Sequence, residues 1–253
     1  MNREHLTALD RMTIRERPQG QPLMNQTWGK LLFMHWRIDE RELRPLIPQQ
    51  LEIDTFDGTA WIGVIPFTMW NIRALPPFMP AVPGFSSAHE LNVRTYVHYN
   101  GVPGVWFFSL DCNSPAAVMA ARTFYHLPYY NAGIDLEQTG HTIDYALKRT
   151  DKPAAYFRGS WTIGETVPFS HPESLEFFLT ERYCLYSQSS GNLYRARIFH
   201  QPWPLQQATL NAYDSTMIEA LRVKAFEGEP VLQYAEEINV DIWGIKRLSE
   251  ARA

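Results

Sequence analysis

The chain has 253 residues, 45 % of them hydrophobic and 20 % charged, with a formal net charge of −4. That is ordinary globular usage, which excludes collagen, coiled coil and global disorder, and it gives no basic balance or stripe of the kind a nucleic-acid binder shows. No apolar run approaches the roughly 18 residues of a membrane helix, the N-terminus is too charged for a signal peptide, and two cysteines make no disulfide framework, so a cytoplasmic protein away from membranes is expected.

Residues 1–24 read as a polar lead-in, with a short helix up to Arg17, before a single domain over 25–253. Lys30–Ile38 is a strand candidate. Asp39 then caps a short helix, with Glu42 at capping-box spacing and Pro48 just past its end. Leu51–Asp54 and Thr59–Thr68 read as strands joined as a hairpin through Asp57-Gly58. Residues 74–88, with four prolines, read as an ordered loop. His89–Tyr99 and Gly104–Cys112 form a hairpin about Asn100-Gly101. Ser114 caps a helix that opens with Pro115 and stops near Pro128. His141–Arg149 pairs with Ala154–Thr162. Ser170 and Glu173 announce a helix over 173–182, and Tyr183–Ser187 and Leu193–His200 flank another hairpin. Strands near Leu205–Leu210 and Val231–Val240 finish the chain. Many antiparallel strands, about three short helices and no alternating βα rhythm predict one α+β domain built on curved antiparallel sheet or a partial barrel.

The common catalytic signatures are missing. The sequence has no G-x-G-x-x-G, Walker A, G-x-S-x-G, H-E-x-x-H or C-x-x-C, so neither a dedicated metal site nor a bound cofactor is expected. Cys112 and Cys184 lie in apolar strands and read as inert buried thiols. The richest segment is His89–Tyr99. Because side chains alternate across a strand, Glu90, Asn92, Arg94, Tyr96 and His98 share one face. That face is either solvated or the wall of a ligand cavity. In the second case Arg94 can grip a carboxylate and Glu90 can act as an acid or base. A second cluster spans residues 122–130, with Arg122, Tyr125 and His126 on one helix face and Tyr129 and Tyr130 leaving in an extended chain after Pro128. Glu181 and Arg182 read as surface or helix-end residues, and His35 and His200 as satisfied interior histidines.

Several motifs carry a resemblance. The stretch Trp36–Asp54 (WRIDERELRPLIPQQLEID), the acidic Glu90 and the segment Leu110–Tyr130 are similar to corresponding stretches of the acetoacetate decarboxylase superfamily. In closer detail FDGTAWIGVIPF, ELNVRTYV, GVWFFSLD, SLEFFLTERYCLY and PWPLQ resemble the YqjF-like family of bacterial proteins, over about residues 26–245. The resemblance implies a double-sheet, barrel-like core around a cavity, and members that often assemble as homo-oligomers. It also implies a departure. The decarboxylases form a Schiff base on a lysine that has a lysine neighbour, and here the matching pair is Tyr129-Tyr130, which cannot form an imine. Only five of the 23 basic residues are lysine, and none stands in an evident replacement position.

Three functions follow as expectations. One is an enzyme on a small oxo- or hydroxy-acid working without a Schiff base, with Glu90 as acid or base, Tyr129 or Tyr130 donating to a substrate oxygen, and Arg94, Tyr96, Arg122 and Tyr125 lining the ligand. The second is a non-catalytic module that binds a small organic acid in the same cavity. The third is a structural or partner-binding protein whose cavity is filled by its own aromatics.

Overall fold

Alternating apolar residues dominate the chain, and in the computed structural model, which describes residues 6–74, 87–224 and 228–248, they become one continuous sheet. Its strands are β1 (Met24–Ile38), β2 (Glu52–Ile53), β3 (Ala60–Ala74), β4 (Ser87–Tyr99), β5 (Val102–Cys112), β6 (Tyr129–Thr139), β7 (Thr142–Arg149), β8 (Tyr156–Thr166), β9 (Cys184–Ser189), β10 (Asn192–Phe199), β11 (Leu205–Ser215), β12 (Val231–Ile242) and β13 (Lys246–Arg247). Short helices α1 (Ala8–Thr13), α2 (Glu40–Leu43), α3 (Pro115–Tyr125) and α4 (Leu175–Thr180) decorate it.

The sheet closes twice. The run β5-β6-β7-β8-β11-β12-β1-β3-β4 returns to β5, making a large ring. The run β5-β9-β10-β12-β1-β3-β4 also returns to β5, making a smaller one. The forks lie at opposite ends of single strands: β5 pairs in parallel with β9 near Val105 and with β6 near Leu110, while β12 pairs with β11 near Ala235 and with β10 near Ile242. Closure removes exposed sheet edges. The shared wall β12-β1-β3-β4-β5 therefore has an interior on each side, and its strands bury both faces. In β1, Leu32, Met34 and Trp36 join the core of the large ring, whereas Leu31 and Phe33 join a second cluster with Trp203, Ile198 and Val118. Such a strand shows a nearly continuous hydrophobic run in sequence, as Leu31–Met34 does.

The mainly antiparallel architecture and most strands agree with the sequence reading, and the differences have local causes. Asp57 and Gly58 both take positive φ, 48° and 71°, and make a tight turn closed by a Phe56–Thr59 bridge. The strands around it do not pair with each other, because β2 pairs with the far end of β4. The turn about Asn100-Gly101 joins β4 to β5 as expected. The expected helix over 173–182 is confined to α4, capped by Ser174, whose Oγ accepts from Phe177 N. Asp39 does cap α2, but Glu42 does not close the capping box; its carboxylate accepts from Lys224 N instead. His126 is not on the helix face shared by Arg122 and Tyr125. It is the left-handed C-cap of α3, and its ring packs on Tyr194. Most of the expected loop at 74–88 lies outside the described residues.

Residues before β1 are tied to the domain by arginines. Arg11 reaches Asp54 at 2.5 Å, Arg17 reaches Asp241 at 2.5 Å, and Arg197 donates to the carbonyls of Ile14 and Glu16. Asp54 also receives Arg182 at 2.6 Å, so one buried carboxylate holds two buried guanidinium groups. Glu181 and Arg182, expected near the surface, are both buried, because the chain turns inward after α4 to enter β9. Glu181 accepts from Trp203 N and from the Tyr183 hydroxyl, and Arg182 stacks on Tyr96 and Phe178.

Candidate functional site

The side chains of β4 separate cleanly by face. Leu91, Val93 and Val97 enter the large-ring core beside Tyr145, Phe157 and Trp161. Glu90, Asn92, Arg94 and Tyr96 point the other way, into the small ring. This face is not solvated: Glu90 is 2 % exposed, Asn92 5 % and Tyr96 fully buried, and only Arg94 is partly open. A carboxyl, a carboxamide, a guanidinium and a phenol thus line an interior wall.

Glu90 occupies one end of that wall. The Tyr129 hydroxyl donates to its Oε2 at 2.7 Å, and the paired residue on β5 is Cys112. Pro128 places Tyr129 here. It ends the segment after α3 and starts β6, and its carbonyl accepts from Leu110 N, locking the strand against β5. Burial pushes the Glu90 carboxyl up to about 7, opposed by hydrogen bonds from Tyr129 and Asn92 and aided by the nearby charge of Asp111. The Tyr129 phenol is pushed well above its ordinary value by its own burial and the adjacent carboxyl. At neutral pH the pair therefore holds a phenol proton and a carboxyl balanced between its two forms. The Cys112 thiol beside it, pushed up to about 12 by burial, stays protonated, and Cys184 is pushed up to about 11 for the same reason.

Arg94 and Tyr96 lie toward the other end. The Arg94 guanidinium sits 5.5 Å from the Phe33 ring and 5.7 Å from the Tyr96 ring, donates weakly to Leu179 O at 3.4 Å, and has no carboxylate partner among the described residues. Tyr96 donates to Leu179 O at 2.6 Å and meets His35 Nε2 at 2.6 Å. Gly63 sits between Arg94 and His35 in the ladder, and any side chain there would come within 2.9 Å of the His35 ring.

The structure thus brings Glu90 and Tyr129 together and sets Arg94 and Tyr96 on the same wall. Tyr125, half-buried on α3, packs against the apolar cluster that includes Tyr129. Tyr130 and Arg122 are elsewhere. Neighbouring residues of a strand face opposite sides, so Tyr130 turns away from Glu90 and lies under Arg149, 4.0 Å from its ring, where Arg149 pairs with Asp111. Arg122 is on the surface, donating to Tyr129 O at 2.8 Å and to Asp151 at 2.8 Å. Sequence reasoning missed Phe33, Trp203 and Gln233 on the interior of the small ring. Their strand and loop contexts read as ordinary core, and only the fork in the sheet shows which interior they face.

Of the five lysines, Lys148, Lys152, Lys224 and Lys246 are exposed and Lys30 is half-buried. Among the described residues no group of three or more His, Cys, Asp and Glu is placed to hold a metal ion, and no helix is long and apolar enough to cross a membrane. Two surface depressions, of about 550 Å³ between α2 and β3 and about 910 Å³ over β6, β7, β8 and β11, include none of Glu90, Arg94, Tyr96 and Tyr129 in their lining.

Comparison with known proteins agrees with this architecture. The model of the DUF2071 family, described as an uncharacterized conserved protein, matches residues 25–239. The uncharacterized protein YqjF of Bacillus subtilis (strain 168) is 43 % identical over 234 residues, covering 92 % of this chain and 95 % of that protein. Among solved structures, the enduracididine biosynthesis enzyme MppR, complexed with the condensation product of pyruvate and imidazole 4-carboxaldehyde, superposes with a TM-score of 0.66 at 13 % identity over 92 % of each chain. An acetoacetate decarboxylase-like enzyme from Sphingomonas wittichii RW1 gives 0.62 at 13 % identity, over 91 % of this chain and 94 % of that one. At these identities the structures establish the fold, which is acetoacetate-decarboxylase-like.

Proposed function

The chain belongs to the DUF2071 family, and from that premise we propose that its small ring takes a small organic acid and moves a proton on it without a Schiff base. The observation that carries this reading is the pair of the buried Glu90 with the half-buried Tyr129, a carboxyl titrating near pH 7 with a phenol oxygen donating to it at 2.7 Å. A carboxyl poised near neutrality both accepts and returns a proton within one turnover, which suits enolisation or dehydration of an oxo- or hydroxy-acid. Tyr129 donates to the oxygen on which charge develops, and Tyr96 and Tyr125 line the ligand. Arg94, with no carboxylate partner among the described residues, binds that of the ligand. Four residues of strand separate it from Glu90, about 13 Å between α-carbons. Tyr130 and Arg122 act from outside: Arg122 fixes the backbone of Tyr129, and Tyr130 supports the Arg149–Asp111 pair. That MppR is complexed with pyruvate in one of its structures supports a small acid as ligand of this fold. The exposure of four lysines supports chemistry without an imine. We read the protein as cytoplasmic, and as a candidate homo-oligomer on the likeness alone.

The test is a panel of oxo- and hydroxy-acids assayed for product and for thermal stabilisation. A ligand at a hundredfold excess over its dissociation constant raises stability by about 2.7 kcal/mol. The expected result is turnover that Glu90→Gln abolishes with the fold intact, and stabilisation that Arg94→Ala abolishes. Stabilisation without product, unchanged in Glu90→Gln, makes the protein a binding module. A ketone adduct trapped by borohydride on any lysine overturns the Schiff-base-free chemistry.

A further inference from the structure

Phe33 faces the small ring, fully buried, and four polar side chains neighbour it. The Arg94 guanidinium is 5.5 Å from its ring, the Trp203 indole 5.1 Å and edge-on, and the His35 imidazole 6.1 Å and stacked. Gln233 is its direct partner across the β1–β12 ladder, and opposed residues in a ladder project to the same side of the sheet. The neighbours of Gln233 confirm its face: Tyr234 belongs to the large-ring core and Ala235 to the small-ring cluster.

Each of these side chains keeps at least one buried polar atom with no hydrogen-bond partner among the described residues: Arg94 Nε, Trp203 Nε1, His35 Nδ1, and both Nε2 and Oε1 of Gln233. A buried polar atom left without a partner costs about 1–3 kcal/mol. Several such atoms around one ring do not serve stability, and Gln233, 5 % exposed, holds a whole carboxamide without a partner among the described residues.

Their donor and acceptor roles are fixed. The Tyr96 hydroxyl has one hydrogen and spends it on the Leu179 carbonyl, which can only accept. His35 Nε2 must then donate to the Tyr96 oxygen. In a neutral ring this leaves Nδ1 as a bare acceptor, and burial beside Arg94 and Arg182 keeps the ring neutral. The shell therefore presents two N–H donors, on Arg94 and Trp203, one acceptor on His35, and one group of each kind on Gln233.

Resting on the acid-binding reading above, we propose that this shell recognises a carboxylic acid bearing a hydroxyl, with Arg94 and Trp203 donating to the carboxylate and His35 Nδ1 and Gln233 selecting the hydroxyl. A hydroxyl gives its proton to His35 Nδ1 and accepts from the Gln233 amide. An oxo group has no proton for His35, and an unsubstituted acid satisfies neither residue. Sites that hydrogen-bond a ligand hydroxyl reject analogues lacking it because their own buried groups then stay unpaired.

Calorimetric titration of matched 2-hydroxy-, 2-oxo- and unsubstituted acids of three to six carbons, lactate with pyruvate and propionate among them, tests this. Wild type is expected to bind the hydroxy acid at least tenfold more tightly than its unsubstituted match. Gln233→Leu and Gln233→Met should shrink that preference to within about threefold while leaving affinity for the unsubstituted acid unchanged, and Arg94→Ala should lose all three acids. Equal affinities in wild type, or a preference that survives both Gln233 variants, overturn the assignment while leaving Arg94 as an acid clamp. Absence of binding by every acid overturns it together with the reading it rests on. Urea midpoints at or above wild type for the Gln233 variants verify that the fold is kept, as expected when an unsatisfied carboxamide is replaced by an apolar chain.

Discussion

The two faces of β4 look into two different interiors. On one side Leu91, Val93 and Val97 pack against Tyr145, Phe157 and Trp161, in a core built for burial. On the other side the same strand presents Glu90, Asn92, Arg94 and Tyr96 to the small ring, where Asn92 and Arg94 keep buried polar atoms without partners among the described residues. Apolar packing and polar chemistry thus occupy opposite faces of one wall. Substitutions only two ångström-scale pleats apart should have effects of different kind.

The largest expected effect is at the base of the polar side. Asp54→Ala leaves Arg11 and Arg182 buried without their carboxylate, and removal of one partner from such a group typically costs about 3–5 kcal/mol. Urea unfolding of the variant measures it, and a loss below 1 kcal/mol would mean that water reaches those guanidinium groups. On the apolar face, Leu91→Ala is expected to cost about 2–5 kcal/mol through lost burial and a cavity, with the ranking of bound acids unchanged. An altered ranking would show that the two interiors are mechanically coupled.

Glu90→Gln separates the faces by pH. The folded protein holds the Glu90 proton up to about pH 7, whereas the unfolded chain releases it near 4.5. Between those values the native state binds more protons, so this residue's contribution is full below 4.5 and is lost as pH rises toward 7, on the order of 3 kcal/mol in total. His35 and His200, held neutral by burial, act in the opposite sense, destabilising the protein as pH falls below their ordinary 6.5. The difference between wild type and Glu90→Gln cancels the histidines. That difference should grow in favour of the variant from pH 4.5 to 7, and a flat difference would place water against the carboxyl. The smallest effect belongs outside both interiors. Arg122→Met breaks an exposed pair with Asp151 and should cost under about 1 kcal/mol.

How much of this was legible depends on the range of the forces involved. The Asn100-Gly101 turn, the Ser114 cap with Pro115 behind it, and the break at Pro128 are set by residues within a few positions, and each appears where the sequence places it. The polar register of β4 was equally plain, since alternation alone puts Glu90 and Arg94 on one side. Whether that side met water was not. Glu181 and Arg182 looked like surface residues because nothing nearby in sequence shows that Trp203 N will donate to Glu181 or that Asp54 will accept from Arg182. Tyr129 and Tyr130 looked equivalent until the sheet gave them opposite sides.

By itself, then, the sequence determined the antiparallel class, the turns and caps, the inertness of two buried cysteines and the one strand dense in chemistry, because short-range sterics and side-chain period specify these. The tertiary structure alone decided the rest. The forks at β5 and β12 depend on pairings between residues far apart in the chain. Those forks turn the second face of β4 from a surface into an interior, raise Glu90 toward neutrality by removing its water, and bring His35, Trp203 and Gln233 around Phe33.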